Sequence, residues 1–435
     1  MKISKLHIDS FRHLENLDFD FTYPQDFHIE EKRGKPLDKI CFIGQSATGK
    51  TGLLELIYEH TQTVLNLEVV NQQYLSTMKH PEKKLSGISE FTIKGNIFKW
   101  ANGKAIYRKN SHVYQNIGFG GQVTDLISKF DKNNVLYFKT DLISDINITL
   151  FSTNPINLTE KYINELHSIE NTFTIKEGYG IIFDGNAKPK LWLYTINKIL
   201  QYRISFTKKM SEFIQSGLLA NVKKLDVEFQ KWQKINPNKL EDFAKKFNPL
   251  LEKLNLEVDL ISPEYAIPLR NKRNEEVIPI QNTSTGTKGL LLTFLPLYEL
   301  DTKDSIILID EPERSLYPDM QMDLMEHYQN LAPEAQFIVA THSPFIAASF
   351  EPEERFILYF DNEGKVAVRQ GSSPIGDDPN DMLKNDFGVD YYNQFGKDAY
   401  KKYLKLKENL AKEKNKDKKK ELLLETVKLG DTYNF

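Results

Sequence analysis

Apolar residues alternate at the start of the chain: Ile3, Leu6, Ile8 and Phe11, then Leu17, Phe19 and Phe21. A two-residue period predicts two half-buried strands joined by a short turn. Residues 24–38, where Pro24, Gly34 and Pro36 sit among charges, read as a loop. Ile40-Cys41-Phe42-Ile43 reads as a strand, and Gly52 to His60 as a helix with Leu53, Leu54, Ile57 and Tyr58 on one face. Short strands follow over 88–120, with Asn102-Gly103 as a hairpin turn, and "NNVLYFKTD" at 133–141 reads as another buried strand. From about 155 to 260 the period lengthens. Leu218, Val222, Leu225, Phe229 and Trp232, spaced 4, 3, 4, 3, predict one helical stripe. Beyond a break at Pro237, Leu240, Phe243 and Phe247 predict a second helix. Two helices of about 20 residues would each extend about 30 Å. Two more apolar runs, Ile306 to Ile309 and "AQFIVA" ahead of His342, predict buried strands separated by one helix.

Composition narrows the class. The 435 residues can bury a large core, as one domain with an insertion or as two domains. Basic and acidic side chains nearly balance, 57 against 60, so any nucleic-acid contact must come from a local patch. Cys41 is the only cysteine, which excludes an internal disulfide and a cysteine-based zinc site and suits a cytoplasmic protein. No apolar run approaches the length of a membrane span, and the first residues alternate like a strand rather than a signal peptide.

Between the third strand and the first helix lies "FIGQSATGKT", residues 42–51. It fits a glycine-rich loop whose backbone N–H groups wrap a phosphate at a helix N-terminus. Its contacts would come from Gly44, Gln45, Ser46, Ala47, Thr48, Gly49, Lys50, Thr51 and Gly52, with Lys50 reaching the β- and γ-phosphates and the Thr51 hydroxyl binding Mg²⁺. The strand Ile306 to Ile309 ends in Asp310-Glu311, the end at which α/β sheets place ligands. Asp310 is the candidate Mg²⁺ ligand, and Glu311 the candidate base for an attacking water. His342, at the end of the next strand, is placed to contact a γ-phosphate.

"TSTGTKG", residues 283–289, resembles the signature of ABC-type ATPases, in which a Ser and a Gly open a helix and face a second subunit's γ-phosphate. Ser284 and Gly286 hold those places, with Thr287 beside them, and Ser284 lies 26 residues ahead of Asp310. Phosphate loop, signature, acidic strand and strand-end histidine follow in family order. "DEPERSLYP", "ATHSPFI" and the opening "IDSFRHLENLDFDF" resemble the SMC/RecF/OLD-like (AAA_21-like) branch rather than transporter subunits, and roughly 230 residues between Lys50 and Ser284 are too many for the latter. The resemblance implies an α/β fold: an ABC-type P-loop ATPase head with an antiparallel β lobe, a helical insertion and a helical tail. It divides the chain into 1–150 and 265–370 for the head, 151–264 for the insertion and 371–435 for the tail. It also implies hydrolysis of ATP with Mg²⁺ by a homodimer, each nucleotide held between one chain's phosphate loop and the other's signature. One departure stands out: the glutamine that usually follows the first lobe's last strand is replaced by "YFKTD", with Gln115 and Gln122 only nearby.

The end of the chain resembles ATPases encoded beside restriction or phage-defence partners, so the expected partner is an effector such as a nuclease. DNA repair or chromosome maintenance, and a slow nucleotide sensor holding an effector inactive, are the alternatives. Asp377, Asp378 and Asp381 read as a turn before a helix rather than a nuclease metal cluster. Residues 397–421 carry eleven lysines against five acids, either a solvated helix face or a surface for DNA or a partner.

Overall fold

The computed structural model describes residues 1–65, 87–93, 95–101, 104–109, 112–115, 135–162, 164, 180–187, 189–262, 264–389 and 394–433. The expected turn at Asn102-Gly103 and Gln122 lie outside them. The chain divides into two compact units, Met1–Gly376 and Asp377–Phe435.

The first unit opens with β1 (Lys2–Phe11) and β2 (Leu14–Asp20), paired antiparallel as the alternation predicts. β3 (Lys39–Gly44) runs into α1 (Lys50–Leu65), two residues earlier than the apolar face alone suggests. β4 (Ile88–Ile93), β5 (Asn96–Ala101), β6 (Lys104–Lys109) and β7 (His112–Gln115) extend the hairpin into a six-stranded antiparallel sheet, ordered β2-β1-β4-β5-β6-β7. β8 (Val135–Phe138), α2 (Asp145–Ser152), α3 (Pro155–Lys161) and β9 (Gly180–Phe183) come next. Three helices follow: α4 (Pro189–Gln215), α5 (Val222–Ile235) and α6 (Lys239–Glu252). A small antiparallel sheet of β10 (Leu256–Val258), β11 (Leu269–Asn271) and β12 (Val277–Ile278) leads to α7 (Thr285–Glu299) and β13 (Ile306–Asp310). Then come α8 (Pro318–Met322), α9 (Leu324–Leu331), β14 (Gln336–Ala340), α10 (Pro344–Ala347), β15 (Arg355–Phe360) and β16 (Val366–Gln370).

The second sheet is ordered β16-β15-β3-β14-β13-β8-β9 and is parallel except for β16. Every residue of β8, β13 and β14 is buried, which is why these strands read as unbroken apolar runs, whereas β4 alternates. Mixed parallel sheet, antiparallel lobe and surrounding helices make the expected α/β head.

Two contacts join the sheets. Phe19 of β2 and Phe21 just beyond it pack on Phe42 and Phe356 of the parallel sheet, with Phe21 and Phe356 edge to face at 5.1 Å. The fully buried amide of Gln336 accepts from the Ile3 N–H (2.8 Å) and donates to the carbonyls of Ile3 (3.0 Å) and Leu37 (2.8 Å).

The helical region departs from the sequence reading in three places. Its longest helix is α4, 27 residues or about 40 Å, which the pattern did not single out. Its first half is buried through Leu191, Trp192, Ile196 and Leu200, and beyond Leu200 only Phe213 is buried. The stripe from Leu218 to Trp232 does not lie on one helix. The Asn221 side chain caps α5 by accepting from Lys224 N–H, so Leu218 falls in a separate short turn and Val222 is left 74% exposed. Phe229 and Trp232 do pack, against Tyr202 and Phe206 of α4. The helices α5 and α6 are 14 residues each, not about 20. Two helices rather than one separate β13 from β14, interrupted at Asp323.

The second unit holds α11 (Pro379–Asn385), α12 (Gln394–Lys412) and α13 (Lys416–Tyr433). Asp378 caps α11 by accepting from Asn380 N–H, and Lys402 pairs with Glu425 between α12 and α13. No helix among the described residues is long and apolar enough to cross a membrane.

Replacing Gln336 by Leu keeps most of its volume and strips three buried backbone groups of a partner. Gln336→Leu is expected to cost about 3 kcal/mol or more, read as a lower urea midpoint. An unchanged midpoint would show that the amide does not join the sheets.

Candidate active site

In register, β3, β14 and β13 lie side by side and parallel, so Gly44, Ala340 and Asp310 finish at one edge of the sheet. Backbone bonds lock those ends together: Glu311 N–H donates to Ala340 O (2.9 Å) and Thr341 N–H to Phe42 O (3.1 Å).

The phosphate loop turns through left-handed residues at Ala47 (φ +67°) and Gly49 (φ +92°). A side chain at Gly49 would also collide with Leu14 and His13, because the β1–β2 turn packs on the loop there. Arg12 of that turn pairs with Glu55 of α1 at 2.6 Å. Gln45, Ser46 and Ala47 are exposed at the loop's tip, and Thr48 is buried, its hydroxyl donating to Gln45 O at 2.8 Å. Lys50 Nζ donates to the carbonyls of Gly44 (2.7 Å) and Gln45 (3.1 Å). Gly52 follows on the first turn of α1, close under the Arg12 guanidinium.

Thr51 Oγ1 donates to Asp310 Oδ2 at 2.9 Å, joining the two candidate metal ligands. Both offer hard oxygens, and a site of two protein oxygens suits Mg²⁺, which fills its remaining positions with phosphate and water. Burial pushes the Asp310 carboxyl up to about 6, and Glu311 adds to the effect against the Thr51 hydrogen bond. Burial holds the Lys50 ammonium below its ordinary value, although Asp310, Glu311 and Glu313 all favour its charge. In both groups desolvation outweighs the neighbouring charges.

Glu311 takes a left-handed backbone (φ +51°), rare for a residue with a side chain, and its Oε1 lies 4.0 Å from His342 Nε2. Partial burial and Lys50 hold the imidazole below its usual value.

Ser284 caps α7, its Oγ accepting from Thr287 N–H (3.1 Å) and lying 2.8 Å from Thr287 Oγ1. Among the described residues neither hydroxyl bonds to the phosphate loop. Gly286 is needed because a Cβ there would sit 2.4 Å from Ser315 O. Gly286, Gly289, Leu142, Ile143, Asp310 and Glu311 line a small cleft between α7, the loop after β8 and the end of β13.

The structure thus brings Lys50, Thr51, Asp310, Glu311 and His342 together and places Gly286 beside Asp310 and Glu311, while the Ser284 and Thr287 hydroxyls bond to each other and, among the described residues, not to the phosphate loop. Three further residues escape sequence reasoning. Glu313 Oε1 accepts from His342 N–H at 2.7 Å, Arg314 donates to Thr140 O, and Tyr137, 1% exposed, has a hydroxyl with no hydrogen-bond partner. Tyr137 and Thr140 belong to the stretch that stands where the usual glutamine is missing. The second glutamate of "DEPE" is the one signal that could have flagged Glu313.

Residues 184–347 match the family model described as an AAA ATPase domain. The Retron Vc95 probable ATPase of Vibrio cholerae serotype O1 biovar El Tor is 33% identical over 123 residues, 26% of this chain and 24% of that protein, so the match spans about a quarter of the relative's length. Two similar solved structures are the SMC head domain from Thermotoga maritima (TM-score 0.41, 13% identity, 86% of this chain and 100% of that one) and an Smc head domain with an extended coiled coil, bound to the C-terminal domain of ScpA, from Pyrococcus furiosus (TM-score 0.37, 14% identity, 85% and 96%).

Because its folded value exceeds the unfolded one, Asp310 binds its proton more tightly in the native state and weakens the nucleotide-free fold as pH rises from about 4 to about 6. Asp310→Asn is expected to be more stable than the parent at pH 8, on the order of 1–3 kcal/mol, with the difference vanishing near pH 4. Thermal unfolding without nucleotide or Mg²⁺ checks this. A difference that does not shrink toward pH 4 would contradict it.

Proposed function

We propose that this chain, an ABC-type ATPase of the SMC/RecF-like group, hydrolyses ATP at sites shared between two copies and uses the cycle to control a DNA-directed effector. The observation that carries the hydrolytic part is the convergence of Lys50, Thr51, Asp310, Glu311 and His342 on one edge of the parallel sheet. Lys50 exchanges its loop carbonyls for the β- and γ-phosphates, and loop N–H groups with the α1 N-terminus hold the phosphate chain. Thr51 and Asp310 are the residues that would hold Mg²⁺, which when bound offsets phosphate charge. Glu311 takes the proton of the attacking water. His342, kept neutral at pH 7, donates a hydrogen bond to the γ-phosphate.

Ser284, Gly286 and Thr287 complete the partner copy's site. The absence of a bond from Ser284 or Thr287 to their own phosphate loop, among the described residues, supports this division. The partial likeness to a probable ATPase of a retron is consistent with a defence setting; the cytoplasm and a nuclease effector are part of the same proposal. The lysine-rich faces of α12 and α13 offer a surface for it or for DNA.

Lys50→Ala is expected to abolish ATP binding. Glu311→Gln is expected to keep ATP binding and lose about 10²–10⁴-fold in turnover; parental turnover would remove Glu311 from the chemistry. Ser284→Arg should bind ATP and not hydrolyse it, with only about 1 kcal/mol lost from the missing cap. Mixed with Lys50→Ala under exchange, it should recover roughly a quarter of parental activity if sites act independently, since half the dimers carry one intact site. Normal hydrolysis by Ser284→Arg alone would exclude the shared site.

A further inference from the structure

We propose that Glu313 is a positioning residue for hydrolysis, fixing the backbone of His342 and through it the approach of the imidazole to Glu311. The inference rests on the reading of Glu311 and His342 as the hydrolytic pair.

The His342 side chain makes no hydrogen bond among the described residues. Its ion-pair partner among the described residues is Glu311 Oε1, at 4.0 Å, and the side chain is 43% exposed. What directs the ring is therefore its backbone. His342 lies two residues past the end of β14, beyond the ladder that holds Ala340 to β13. The bond from its N–H to Glu313 Oε1, 2.7 Å, is the anchor at that point. Glu313 reaches it from the turn after β13, the turn that also carries Glu311. One side chain thus ties the base's loop to the histidine's loop.

Stability alone does not explain a carboxylate here. The β13–β14 pair is already held along its length in register and by Glu311 N–H on Ala340 O. The Glu313 carboxylate also takes hydrogen bonds from the Thr341 side chain and its own backbone, while burial pushes it above the usual carboxylate range. Lys50 also feels the charge of Glu313, after that of Asp310 and Glu311.

A double-mutant cycle tests the proposal, with single-turnover hydrolysis and ATP affinity measured on Glu313→Ala, His342→Ala, the double variant and Glu313→Gln. Glu313→Ala is expected to slow hydrolysis about 10–100-fold while ATP affinity stays within about threefold. Glu313→Gln, whose Oε1 still accepts from His342 N–H, should stay within about fivefold of the parent. The double variant should be no slower than His342→Ala, because both remove one function. A parental rate in Glu313→Ala, losses that multiply in the double variant, or affinity falling in step with rate would each overturn the proposal. A slow Glu313→Ala beside a parental His342→Ala would break the link through His342 and leave the ATPase reading intact. If Glu313→Ala does not fold, Glu313→Asp, one methylene short of the bond, replaces it in the same cycle under the same criteria.

Discussion

The site depends on parallel pairing between β13, β14 and β3. That pairing sets Asp310, Ala340 and Phe42-Gly44 at one level, and two backbone bonds fix the residues just beyond it. A shift of one residue in either pairing would turn Asp310 to the opposite face of the sheet, away from Thr51. Burial on both faces makes such a shift prohibitive, since the core packs every residue of β13 and β14. The scaffold is rigid where the chemistry needs it. The phosphate loop and the turn after β13 carry left-handed residues with side chains, Ala47, Glu311 and Ser315, and so store strain at the site.

Electrostatics complements this geometry. Asp310, Glu311 and Glu313 gather around Lys50, and burial raises Asp310 and Glu313 while lowering Lys50. Each shift costs the protein something in the absence of a ligand. A cation and a phosphate chain would relieve two of these: the cation answers Asp310, and the phosphates answer Lys50 and the loop amides. Ligand binding therefore draws on energy already present as unfavourable charge, one way a marginally stable fold can favour its loaded state.

Legibility in the sequence followed the range of the interaction. The strands Ile40-Ile43 and Ile306-Ile309, the phosphate loop and the Ser284 cap are set by residues within a few positions of each other, and all were readable. The insertion of β14 between β3 and β13 was not, because parallel partners are distant in sequence and nearly identical in texture. The helical stripe misled for a local reason: Asn221 competes for backbone N–H groups and starts a new helix inside a continuous apolar period. Helix α4 was hidden because its first half is apolar on several faces and its second half mostly polar. Gln336 and Glu313 look like ordinary polar residues until their partners, Ile3 and His342, arrive from elsewhere in the chain.

A division of labour between copies is the central claim, and sedimentation velocity of Glu311→Gln tests it most directly. With Mg²⁺ and saturating ATP the slow variant should shift from monomer to dimer, and the shift should disappear when Ser284→Arg is added. A monomer at saturating ATP, or a dimer indifferent to Ser284→Arg, would contradict the shared site.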